Sequence, residues 1–121
     1  MDIRNNLPIT SASSGNVAAA AATATLAAVV GKTTYITGFS ITGAGATAAS
    51  VINPTVTGVL GGTQTYTIAI PAGATLGVTP LVVAFDPALP ANAVNTAIVV
   101  SAPSFGAGNT NATVSAWGYQ L

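Results

Sequence analysis

Short stretches rich in threonine, valine and isoleucine, spaced about ten residues apart and cut off by glycine or proline, run the length of this chain. Thr, Val and Ile together supply 39 of its 121 residues, and side chains branched at Cβ fit a pleated sheet better than a helix. Seven or eight such stretches predict an all-β fold, an antiparallel two-sheet sandwich, jelly roll or small barrel. The length allows one domain with a single two-layer core. Nothing repeats at a fixed period, which argues against a solenoid.

The final third, VNTAIVVSAPSFGAGNTNATVSAWGYQL, organises the rest. It holds a β-branched run at Ile98–Val100, a break at Pro103, a loop of glycine and asparagine, and a second run reaching Leu121. Two strands and a turn follow, a final hairpin, with the last strand inside a sheet because a free terminal strand frays. Upstream, Thr33 to Thr42 alternates, so Tyr35, Thr37, Phe39 and Ile41 share one face, expected to be the core face. Gly61-Gly62 predicts a hairpin joining Val51–Leu60 to Thr63–Ile70. In its second strand Gln64, Tyr66, Ile68 and Ile70 point inward, and Pro54 confines the first to a sheet edge or delays its start to Thr55. Leu81 to Phe85 reads as a short strand closed by Asp86-Pro87.

Val17 to Val30 contains five consecutive alanines, which favour a helix. Its Thr-Ala-Thr-Leu alternation, closing Val29-Val30 and Gly31 stop favour a strand, and a strand is the expectation. Residues 1–16 are polar, without a sustained period, and read as an extended amino-terminal arm, leaving 17–121 as the sandwich domain. Within the arm Asp2, Ile3, Arg4 and Leu7 are the candidates for gripping a neighbouring subunit or shell. No basic region runs into an apolar core as a secretory signal requires, and the longest apolar stretch is too short to span a bilayer. An unsecreted protein without a membrane segment is expected.

Charge narrows function further. Asp2, Arg4, Lys32 and Asp86 are the only charged side chains, 3% of the chain against about 25% in an ordinary domain. At zero net charge the surface offers no footprint for nucleic acid or anionic lipid, and little repulsion to hold copies apart, so self-association is expected. Histidine and cysteine are absent. That removes the familiar nucleophilic triads and any thiolate or imidazole metal site, so no enzyme, cofactor or metal is expected. A Lys32–Asp86 amide crosslink through Asn92 or Asn95 would need a buried, neutralised lysine. Two exposed charges at strand ends are the plainer expectation.

Large aromatics in so apolar a chain default to core packing. The alternative is that Trp117 and Tyr119, which share a strand face, join Tyr66 in a sugar-stacking platform, as in a carbohydrate- or receptor-binding module.

The segments ATATLAAVVGKTTYITGFSITGAG and NTAIVVSAPSFGAGNTNATVSAWGYQL, with the hairpin between them, resemble the small β-sandwich decoration proteins of tailed bacteriophage heads. The resemblance implies a jelly-roll-like sandwich, often a homotrimer, that is made in the bacterial cytoplasm and sits on the phage head. Its partners would be copies of itself and the major capsid protein, with no small-molecule ligand and no catalytic motif.

Overall fold

A computed structural model of the chain describes residues 8–46, 48–73, 77, 79–106 and 111–121. The described chain has no helix. Its strands are β1 (Ile9–Ser13), β2 (Ala22–Leu26), β3 (Thr34–Ala44), β4 (Ser50–Ile52) and β5 (Thr55–Thr57). They continue with β6 (Gln64–Thr65), β7 (Ile68–Ile70), β8 (Leu81–Pro90), β9 (Ile98–Ala102) and β10 (Asn111–Gln120). One four-stranded sheet has the order β1-β10-β3-β8, a second has β2-β9-β5-β6, and β4 and β7 form a separate pair. Every pairing is antiparallel.

The short strands resolve into eight. In β4–β7 and in β5–β6 the paired residue numbers sum to 120 throughout, as in Ser50 with Ile70 and Thr55 with Thr65. They are two halves of one hairpin, parted where Pro54 has no N–H to give to the ladder. Across the gap the Tyr66 amide still donates to the Pro54 carbonyl at 2.8 Å. Counted this way, the first strand lies beside the eighth, the second beside the seventh, the third beside the sixth and the fourth beside the fifth. That nesting is the jelly roll, a long ribbon rolled so that its two halves face each other as sheets.

Between the sheets Leu26, Ile36, Phe39, Ile41, Val56, Ile98, Val100, Phe105 and Val114 are completely buried. The strands contribute by alternation: β2 buries Ala22, Ala24 and Leu26 and exposes Thr23 and Thr25, while β9 buries Ile98, Val100 and Ala102. Thr34 is the one buried polar side chain among the described residues. Its hydroxyl accepts from the Gln120 side-chain amide at 3.2 Å, so the desolvated oxygen keeps a partner.

Several expectations change. The arm is partly a strand: Ile9–Ser13 pairs with Ser115–Tyr119 at the edge of the first sheet, so β10 lies between two neighbours as a terminal strand should. Only Ala22–Leu26 of the Val17–Val30 stretch is strand. Ala19 there has a φ of 51°, which ends extended backbone. The final third is not a hairpin, because β9 belongs to the second sheet and β10 to the first. β8 does not stop at Phe85 but continues through a cis Asp86–Pro87 peptide to Pro90. The hairpin turn falls on Val59–Gly62, where the Gly62 amide donates to the Val59 carbonyl. Both of its glycines have φ of 91°, a conformation that costs other residues about 1–2 kcal/mol.

The largest departure is in β3. Gly118 pairs with Ile36 but Trp117 with Gly38, leaving Thr37 as an extra residue. Such a bulge reverses the alternation. Before it Thr34 and Ile36 are buried, and after it Phe39 and Ile41 are. Tyr35 and Thr37, expected in the core with Phe39, face outward instead.

Candidate functional sites

Two surfaces stand out, and each follows from how the loops and bulges are placed. The first is one end of the sandwich, where β2, β5, β8 and β10 finish and β3, β6 and β9 begin. The Lys32 amide donates to the Val29 carbonyl, the Asn95 amide to the Lys32 carbonyl, and Thr33 and Leu121 exchange both backbone hydrogen bonds. The Leu60 amide donates to Pro90, and the Asn92 amide to Gly58. The Gln120 side chain reaches Ala27 at 2.8 Å. These bonds tie three loops and the terminal strand into one surface. On it Val29, Val30, Leu60, Val94 and Leu121 are exposed, Val30 to 83% and Leu60 to 57%. They account for five of the nine large hydrophobic side chains exposed among the described residues. Lone exposed aliphatics are ordinary, but a cluster held in place marks an interaction surface. Lys32 is the charge it carries among the described residues.

The second is a groove of about 490 Å³ on the outer face of the first sheet. It exists because two bulges coincide. Between the pairs Ile36–Leu89 and Gly38–Ala84, Thr37 stands alone on β3 opposite Phe85, Asp86, Pro87 and Ala88 on β8. The hollow is lined by Thr37, Phe85, Asp86, Trp117, Tyr119 and Ile9 of β1. Trp117 is 36% exposed and its indole lies over Gly38, where an added Cβ would sit 2.8 Å from Cζ2. Tyr119 stacks on Tyr35 with centroids 5.0 Å apart and planes 18° from parallel. The Thr37 hydroxyl donates to the Trp117 carbonyl at 3.1 Å. Asp86 is exposed at the rim, and among the described residues its carboxylate has neither ion pair nor hydrogen bond.

Of the residues singled out from sequence, Trp117 and Tyr119 do come together in this groove. Tyr66 does not join them. It lies on the inner side of the sheet, edge-on to Phe39 at 5.3 Å and 71°, and burial pushes its phenol above the ordinary value of 10.0. Asp2, Ile3, Arg4 and Leu7 fall outside the described residues. Pro8, which follows them, is held at the apolar end by a bond from the Gln120 amide to its carbonyl. Lys32 and Asp86 are both exposed, so the desolvation that would make Lys32 a nucleophile is missing. Tyr35 and Thr37 were hidden by the bulge, and the apolar end by the distance in sequence between its loops. The double valine before Gly31 and the lone Leu60 between turn residues were the available signals.

Among the described residues no three His, Cys, Asp or Glu side chains gather where they could hold a metal. No protein-family model matches the chain, and no curated protein does. The described chain is thus an all-β jelly-roll sandwich with an apolar end and an aromatic groove.

Proposed function

We propose that this protein is a structural subunit of a virion, a capsid decoration protein that reinforces a phage head through contacts with copies of itself and with the major capsid protein. The observation that carries the reading is the apolar end. Five aliphatic side chains held in water by a hydrogen-bonded frame are an unfavourable arrangement for an isolated molecule, at about 25 cal/mol per Å² of apolar area. Burial against protein relieves it. Scarce charge supports the same reading, since close subunit contact then requires few ions to be desolvated. Jelly rolls recur in viral capsid proteins, a likeness of fold alone. Pro8 is held at this end, and Asp2, Ile3, Arg4 and Leu7, which precede it in sequence, are proposed as a second element of the same contact.

Val30→Glu combined with Leu60→Glu tests this. Both side chains project into solvent, so each change is expected to move folding stability by no more than about 0.5 kcal/mol. Binding to purified empty heads is expected to weaken at least tenfold, about 1.4 kcal/mol. Deleting residues 1–7 is expected to weaken it too while keeping β1. Deletion through residue 16, by contrast, would strip an edge strand from β10. Undiminished binding by the double variant would refute the proposal.

A further inference from the structure

We propose that the groove between the two bulges binds a neutral hexopyranose sugar, its C–H face against Trp117 and Tyr119 and its hydroxyls on Asp86 and Thr37. This site is separate from the apolar end and does not depend on the assembly reading.

The chemistry of the walls selects the ligand class. Trp117 and Tyr119 offer apolar ring surface suited to the flat C–H face of a pyranose. Their positions are fixed beforehand, the indole by the bare backbone of Gly38 beneath it and the phenol by its stack on Tyr35. Little side-chain freedom is left to lose on binding. The polar groups are acceptors. An ionised carboxylate only accepts, and the Thr37 hydroxyl, its proton already committed to the Trp117 carbonyl, has lone pairs left. A ring of hydroxyl donors with one apolar face complements that set. The volume of about 490 Å³ is within the range of small-ligand sites, about 300–1,000 Å³.

The same groups exclude other ligands. An anion, including an acidic sugar, would meet Asp86 with no cation among the described lining residues. A purely apolar ligand would take water from the Asp86 carboxylate and offer it no hydrogen bond in return. A peptide strand added to the edge of β8 would find the ladder interrupted by Pro87, which has no N–H.

Trp117 is the only tryptophan in the chain, so its fluorescence reports on this site alone. The test titrates the full-length protein with neutral mono- and trisaccharides of glucose, galactose, mannose and N-acetylglucosamine. A sialylated and a uronic-acid trisaccharide serve as the acidic comparison. A saturable change in emission is expected for at least one neutral sugar, with Kd on the order of 0.1–1 mM, and none for the acidic pair. Asp86→Asn is expected to weaken the neutral sugar at least fivefold, and Tyr119→Ala at least tenfold, with far-ultraviolet circular dichroism and thermal unfolding showing that each variant remains folded. No response to any neutral sugar would overturn the proposal, as would a response indifferent to both substitutions. An emission change that follows protein concentration and not sugar would overturn it too, and would give the face to a second copy of the chain.

Discussion

Gly118→Ala is expected to destabilise the fold by about 3 kcal/mol, the upper part of the range for overpacking, and Gly118→Val to leave too little stability for folding. Gly118 lies at the bulge in the central pair of the first sheet, opposite Ile36. An added Cβ would run into the Tyr35 carbonyl oxygen, with the Tyr35 carbonyl carbon 2.9 Å away and the Ile36 Cα 3.1 Å away. Backbone, unlike the tip of a long side chain, has nowhere to move without parting β10 from β3. The contrast is Gly61→Ala. Gly61 has φ of 91° but nothing within 4 Å of an added Cβ, so only backbone strain of about 1–2 kcal/mol is expected. Urea denaturation of the two variants measures the difference. Equal losses would show that the strands at Gly118 are not as close as described.

Phe39→Ala is expected to cost about 3–5 kcal/mol, a large part of the 5–15 kcal/mol that holds a domain folded. The ring is fully buried, meets Tyr66 edge-on at 5.3 Å and lies 6.1 Å from Phe85. It bridges the sheets, because Phe39 belongs to the first and Tyr66 follows the last strand of the second. Few side chains could refill the space. Seven of the twenty buried hydrophobic residues among those described are alanine, too short to reach into the space, so the cavity would stay largely open. Thermal unfolding of the variant, with Val51→Ala as an exposed comparison, checks this. A loss below about 1 kcal/mol, the scale of an exposed substitution, would mean the core is looser than its burial indicates.

Much of the architecture was legible in the chain. The β-branched runs specified an all-β fold, and Tyr66, Ile68 and Ile70 turned inward as their alternation required. Pro54 marked a break, but the strand starts ahead of it at Ser50 and β5 beyond it lies between β9 and β6, so β5 took no edge position and the start was not delayed. What escaped was whatever depends on phase or on long-range assembly. One extra residue at Thr37 reverses the alternation of β3, and a period of two carries no mark of where it slips. A Pro-Gly-rich connection between two strands looks the same whether they pair side by side or face each other across a core, so the local pattern predicts a hairpin for β9 and β10. Ile9 to Ser13 is too polar to advertise itself as a strand, and it forms one because β10 offers an open edge. The candidate sites were legible only in part: Trp117 and Tyr119 by their spacing, but not the groove, which needs two bulges in register on different strands. The apolar end joins residues about ninety positions apart in sequence, and no local pattern announces it.

On the proposed function, the exposed aliphatic end is covered by protein in the assembled state. Size-exclusion chromatography with light scattering, run on the wild type and on the Val30→Glu, Leu60→Glu variant, measures it most directly. The wild type is expected to run as a particle of about three times the 11.7 kDa of one chain that falls apart in the variant. A wild type that stays a single chain at every concentration, indistinguishable from the variant, would contradict it.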